Sequence, residues 1–496
     1  MNSIFLPNGM EAWEATYQEM PIEDYRGNPL IETLPSFTKK EVIIQKLMNT
    51  PSLRHEEKEL NTEIRIPLLR RLYQVFQPLP IHADIWNMIH SLVYEGYLAR
   101  NPFDSDYKRF VNETGKQIIE RTYDIHAQRH FRTTSSAGIL IGMSGIGKTT
   151  TVNRILQHIP QIIIHNTYQG EHFQQIQLTW MKLEIPYNSS LKALCLQYFM
   201  KLDELLGTNN FKKYVSRNLS VDAMIPLIGQ VAQNVKLGLL VLDEIQHIKS
   251  RGTNQMVDFF VSLINTVGLP ILLIGTPASY SLFENEFRLA RRLTGNGEII
   301  WNHMENDALF RLFLEGIWRY QWTQKDTPLT EELVQVFFDE TQGVSDLVVK
   351  LFHHAQTFAI TSGKEIITID MIKKAAKEKF RLMKPMIDAI RSGNPYKMAK
   401  YEDLRTLDLK EEEKVLPVTL SHVTQKKENS AEKVVKPSED THHSPIKKRI
   451  PQTDYADNDF RKCIQLSKQN DFRYEQWLTK YGYLDDMTFW MRGESP

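Results

Sequence analysis

Gly142-Met143-Ser144-Gly145-Ile146-Gly147-Lys148-Thr149 is the stretch on which the reading of the whole chain turns. It matches the G-x-x-x-x-G-K-[ST] phosphate-binding loop, and its flanks agree: residues 138–141 are apolar and strand-like, and residues 149–156 are helix-like. The glycines let backbone N–H groups curl around phosphate oxygens, and the following helix adds its N-terminal dipole. Lys148 is placed for the β- and γ-phosphates and the Thr149 hydroxyl for Mg2+. The expected nucleotide-binding set is Gly142, Ser144, Gly145, Ile146, Gly147, Lys148, Thr149, Thr150 and Asp243, with ATP and Mg2+ as cofactors.

Working outward, apolar runs at 137–141, 176–185, 237–242, 269–274 and 298–301 alternate with helical segments at 149–158, 190–206, 222–233 and 253–267. That alternation predicts an α/β fold, a parallel five-stranded sheet between helices. The run Leu239-Leu240-Val241-Leu242 ends in Asp243-Glu244, at the carboxyl end of a buried strand where ligands of such sheets bind. Asp243 fits a magnesium-coordinating acid. Glu244 is placed to polarise an attacking water as general base. A third strand ends in Gly275-Thr276-Pro277, so the Thr276 hydroxyl can reach between the carboxylates and the γ-phosphate; it could equally cap the next turn. Together with the P-loop this arrangement resembles the AAA+ ATPases, in which Thr276 would be sensor 1. Arg291 or Arg292, with Arg288 third, would then be an arginine finger reaching a neighbouring subunit, unless the three simply solvate a helix face.

The flanks divide by composition. Residues 1–130 are a mixed, largely helical region punctuated by prolines, in which residues 83–98 carry apolar side chains at helical spacing, a packing face. Residues 131–304 form the nucleotide-binding domain and 305–400 a small helical lid. Residues 401–453, rich in Lys, Glu, Ser, Thr and Pro, read as a flexible linker. Residues 454–496 hold an aromatic-dense segment suited to docking. Within the lid, Gly343-Val344-Ser345-Asp346 puts an acid where many AAA+ lids carry a nucleotide-touching arginine. Either that contact is absent or a cation such as Lys350 substitutes, and a slow switch is expected rather than a motor.

Bulk properties exclude several classes. At 496 residues, two or three domains are expected. Lys+Arg and Asp+Glu are 60 each, so a nucleic-acid surface would have to be a local cluster. With only two cysteines, a disulfide framework is not expected. Neither a signal peptide nor an apolar run of membrane-spanning length is present, and a cytoplasmic protein with no membrane partner is expected.

Four further stretches sharpen the resemblance. Tyr25-Arg26-Gly27-Asn28-Pro29-Leu30-Ile31-Glu32-Thr33-Leu34-Pro35 is similar to the Y-x-x-N-P-L-I-E-A-L-P opening of the bacterial transposition regulators TnsC and TniB. Gln177-Leu178-Thr179-Trp180-Met181-Lys182-Leu183-Glu184-Ile185-Pro186 resembles their Q-x-x-W-L-K-x-x-x-P strand. Ser189-Ser190-Leu191-Lys192-Ala193-Leu194-Cys195 resembles their following helix, with Asn188 where that pattern has glycine, and Leu205-Leu206-Gly207-Thr208 extends the match. The likeness covers about residues 20 to 380 and leaves the tail uncovered. It implies an ATPase that oligomerises, as ring or filament, on double-stranded DNA without sequence preference. The resemblance further implies that it links a target-selection protein, through the N-terminal region, to transposase subunits, through the C-terminal segment. The competing expectation is a nucleotide-controlled, signalling-type scaffold that does not bind DNA. A small-molecule kinase is disfavoured, because it leaves Asp243-Glu244 with Thr276 and the arginine-rich helix unexplained.

Overall fold

The computed structural model describes residues 2–120, 135–214, 220–248, 253–282 and 295–404. Its centre is a five-stranded, all-parallel sheet built from β3 (Ala137–Gly142), β6 (Trp180–Glu184), β7 (Leu239–Asp243), β8 (Ile271–Gly275) and β9 (Glu298–Trp301). The strand order is β6-β7-β8-β3-β9. Strands β3, β7 and β8 are buried along their whole length, as near-continuous runs of Leu, Ile and Val require when helices cover both faces.

Alternation along each strand sends side chains to two cores. Leu140, Leu239, Val241, Leu272 and Ile274 face one. Ile139, Ile141, Met181, Leu183, Leu240, Leu242, Ile271 and Leu273 face the other. The second core is closed by three helices, α7 (Leu191–Leu206), α9 (Val221–Asn234) and α10 (Thr253–Ser262), with α5 (Ser105–Glu120) lying against α9 and α8 (Asn210–Tyr214) against α7.

The first core is closed by α6 (Lys148–Leu156) and by a helix from the N-terminal region, α4 (Pro80–Leu98). Its Ile85, Met88, Ile89, Leu92 and Val93 are all buried, on the face that the helical spacing predicts. The helix lies against β3, β7 and β8. It comes so close at Gly96 that an added Cβ would sit 2.3 Å from Pro270 Cγ. Three short helices precede it: α1 (Pro29–Glu32), α2 (Lys40–Leu47) and α3 (Thr62–Leu68). The N-terminal region also supplies strands. β1 (Ser3–Phe5) pairs antiparallel with β2 (Glu11–Glu14), which lies parallel to β4 (Ile162–Tyr168), itself antiparallel to β5 (Glu171–Leu178).

The lid consists of α11 (Ala308–Trp318), α12 (Glu331–Thr341), α13 (Ser345–Thr361), α14 (Ile369–Lys379) and α15 (Lys384–Arg391). Asp307 starts α11 by accepting the Leu309 and Phe310 N–H groups at 2.9 and 3.2 Å. Inside, Trp318 stacks on Phe352 at 4.7 Å and meets Phe337 edge-on at 5.5 Å. The lid and the N-terminal region share the first core and are joined by a buried, bidentate ion pair, Arg65–Glu365, at 2.7 and 2.8 Å. No helix among the described residues is long and apolar enough to cross a membrane.

Candidate nucleotide and magnesium site

The loop between β3 and α6 is shaped by its glycines. Gly147 sits at φ +101°, where a Cβ is strained, and Gly142 approaches so closely that a Cβ would stand 2.5 Å from the Trp301 carbonyl. Lys148 curls back and donates to the Gly142 and Met143 carbonyls at 2.6 and 2.8 Å. Burial pushes its ammonium below the usual lysine range, against the opposing pull of Glu244, Asp243 and Asp403. Ser144 and Gly145 on the loop and Thr150 in the first turn of α6 are exposed, and Thr149 is half-buried. Ile146 is different: its side chain is buried in the core, so only its backbone N–H is available to a phosphate.

Strand β7 brings Asp243 to the same place. Its Oδ2 accepts the Thr149 hydroxyl at 2.9 Å and its Oδ1 the Glu244 N–H at 3.0 Å. Glu244 adopts a left-handed backbone, φ +62° and ψ +40°, a conformation that costs a residue bearing a Cβ and is concentrated at functional sites. Gln246, in the turn after it, donates from Nε2 to Glu244 Oε2, and its Oε1 accepts the Thr276 N–H at 3.1 Å. Thr276 itself is buried at the end of β8, and its Oγ1 has no hydrogen-bond partner among the described residues. A buried, unpaired hydroxyl at the end of the strand that lies between β7 and β3 suits a ligand oxygen.

The oxygen set also fits a magnesium ion. Thr149 Oγ1 and Asp243 Oδ2 already meet, and Mg2+ characteristically uses one or two protein oxygens and completes its shell with phosphate and water. Among the described residues no group of three His, Cys, Asp or Glu side chains forms a metal cage elsewhere.

The lid touches the loop directly. The Asp346 N–H, in the first turn of α13, donates to the Gly145 carbonyl at 3.0 Å. Gly343, at φ +69°, lets the chain pass Met304, whose N–H bonds the Gly343 carbonyl at 3.1 Å. Lys350, one turn on, is paired with the Asp346 carboxylate, so the cation closest in sequence to this contact is held by the lid's own acid. Arg288, Arg291 and Arg292 lie outside the described residues, as does the whole segment 405–496.

Two residues in the site carry no role in the sequence reading. Lys182, on β6, pairs with Asp243 Oδ2 at 2.9 Å, and Gln246 bridges Glu244 to Thr276. The signals that could have pointed to them were a lysine inside an apolar edge strand and an amide two residues after the acidic pair.

The profile of the AAA domain family matches residues 131–283, and this stretch is an AAA-type P-loop nucleotide-binding domain. No curated protein matches the sequence. Among solved structures the chain is similar to the Aeropyrum pernix ORC1 protein in complex with DNA, at 14% identity and a TM-score of 0.35, over 53% of this chain and 64% of that one. It is similar to a Walker-type ATPase of Pyrococcus abyssi at 13% identity and a TM-score of 0.33, over 60% and 78%. Domain III of the Thermotoga maritima replication initiation protein DnaA is matched at 12% identity and a TM-score of 0.30, over 56% and 94%. The ORC1 protein is thus matched over less than two thirds of its length. Likenesses this distant carry nothing about ligand or partner.

Proposed function

We propose that this protein is an ATP-hydrolysing switch that assembles on duplex DNA and regulates transposition. In this reading Lys148 and the loop N–H groups hold the triphosphate, Thr149 and Asp243 the magnesium, and Glu244 is the general base with Thr276 sensing the γ-phosphate. Arg291 or Arg292 completes the site of a neighbouring subunit. The observation that carries the switch is the direct hydrogen bond from the first turn of α13 to the P-loop, Asp346 N–H to Gly145 carbonyl. A phosphate entering the loop must be accommodated next to that contact, so lid position and nucleotide state are mechanically tied. An acid at this point, with Lys350 bound to it, favours slow turnover, because the lid cation nearest the loop contact is held by the lid's own acid.

The DNA and transposition parts rest on the quoted sequence stretches. Two of them meet in space: Thr33, in the stretch beginning at Tyr25, donates to Gln177 Oε1 at 3.1 Å, and Gln177 Nε2 donates to the Leu30 carbonyl at 2.8 Å. They therefore belong to one structural unit, as stretches shared across a family do. Hydrolysis would reset the assembly, the N-terminal region would meet the target selector, and the C-terminal segment would recruit transposase.

A gel shift on duplex DNA at several salt concentrations, with and without ATP or a non-hydrolysable analogue, tests the reading. Nucleotide-dependent binding that weakens steeply with salt and ignores base sequence is expected. DNA affinity unchanged by ATP overturns the mechanism. Nucleotide-driven self-assembly with no DNA binding at any salt supports the scaffold reading instead.

A further inference from the structure

We propose that Lys182 is a built-in counter-ion of the magnesium site, one that lowers the dependence of nucleotide binding on Mg2+. The inference rests on the reading of this site as one for ATP and Mg2+. Lys182 stands on the edge strand β6, opposite Val241 and two residues before Glu184, which pairs with Asp243 itself. From there its ammonium reaches Asp243 Oδ2 at 2.9 Å and Asn153 Oδ1 at 2.9 Å, on the helix that follows the P-loop. The pair is well shielded: the Lys182 side chain is 17% exposed and that of Asp243 4%. A shielded ammonium persists only where partners replace its water; here one partner is the site's Asp243 and the other, Asn153, stands on the helix that starts at Lys148.

What matters is which oxygen it uses. The same Oδ2 accepts the Thr149 hydroxyl at 2.9 Å, while Oδ1 takes the Glu244 N–H. The Thr149 hydroxyl, by a hydrogen bond, and the Lys182 ammonium, by an ion pair, thus converge on one carboxylate oxygen. Any metal or metal-bound water that uses this oxygen competes with Lys182. The ammonium thereby supplies positive charge at the metal's position before the metal arrives. Two linked consequences follow. Nucleotide binding without Mg2+ is stronger than it would be with the bare Asp243–Glu244 pair, and the gain on adding Mg2+ is smaller.

A purely structural tie between β6 and β7 predicts neither effect, which makes the Mg2+ dependence the decisive readout. The experiment is equilibrium binding of a fluorescent ATP analogue to the full chain, titrated with Mg2+ and repeated in chelator, for wild type, Lys182→Met and Lys182→Arg. In Lys182→Met the ratio of Kd without Mg2+ to Kd with Mg2+ is expected to rise about tenfold, within the usual range of coupling between linked sites. Lys182→Arg should stay near the wild-type ratio. Should Lys182→Met fail to fold, Lys182→Gln, which keeps a donor but no charge, takes its place and must show the same rise. An unchanged ratio in a variant that binds nucleotide overturns the proposal. A wild-type protein that binds no nucleotide under either condition refutes the underlying site reading instead.

Discussion

Glu244 occupies a backbone conformation that a residue with a Cβ adopts only when its surroundings force it, at a cost of about 1–3 kcal/mol. What holds its carboxylate is Gln246, whose amide joins it to the backbone N–H of Thr276. Turning β7 sharply at Glu244 frees the side chain from the sheet, and the amide then aims it. Glu244→Gln is therefore expected to bind nucleotide normally and to lose hydrolysis by about 100-fold or more, the usual worth of a general base. Gln246→Ala should leave nucleotide affinity unchanged and cut turnover about tenfold, since a misplaced base loses part of that factor. Steady-state turnover set against a separate nucleotide Kd separates the two effects. Turnover at or above wild type in Gln246→Ala would mean that the amide restrains Glu244 rather than aiming it. The P-loop, Asp243 and Glu244 were legible in the sequence because contiguous residues build a phosphate cradle and a strand exit. Lys182 and Gln246 were not, since their roles arise from the pairing of β6 with β7 and from a turn bringing Glu244 and Gln246 together near β8.

At the scale of elements, alternating apolar runs were enough to anticipate five parallel strands, yet the run at 176–185 divides between two sheets. Thr179 causes the break: its N–H donates to the Gln161 carbonyl at 2.8 Å, and its hydroxyl also bonds backbone there. The chain therefore leaves β4 and β5 and enters β6 in the central sheet. β4 itself escaped notice because three isoleucines are followed by His-Asn-Thr, a mixture with no clear period. Pairing of the N-terminal region with the lid is also invisible in one dimension, because Arg65 and Glu365 lie 300 residues apart. Arg65 hydrogen bonds, helped by the Gln324 N–H, hold the Glu365 carboxyl below the usual range. Removing one partner of such a pair leaves an uncompensated buried charge, so Glu365→Ala is expected to destabilise by about 3–5 kcal/mol. Arg65→Met with Glu365→Leu should recover most of that loss. Urea unfolding of the single and double variants checks it; equal destabilisation in both would show that packing, not the charge, holds the lid to the N-terminal region.

The described residues share their main core across N-terminal region, sheet and lid, and three histidines are buried in the same fold. His82 and His90 on α4 and His165 on β4 are each pushed down to about 4, in every case chiefly by burial, with Lys46 and His158 adding to the effect at His90. A bond to Gln177 partly offsets the burial of His165, whose ring sits between the Tyr17 hydroxyl at 2.9 Å and Gln177 Oε1 at 2.8 Å. Because the folded values lie below the unfolded 6.5, the unfolded chain binds more protons as the medium is acidified. The histidines' contribution is thus fully present above pH 6.5 and is lost as pH falls from 6.5 towards 4. Each can cost up to about 1.4 kcal/mol per pH unit in that window. Glu57 and Glu365, held below the usual carboxylate range, remain ionised over its upper half, so the interval from pH 6.5 to 5 isolates the histidines. The thermal unfolding midpoint of the full chain is expected to drop by several degrees between pH 7 and 5, and less in His165→Gln. A midpoint level across that interval would mean that these imidazoles reach solvent and protonate within the folded molecule.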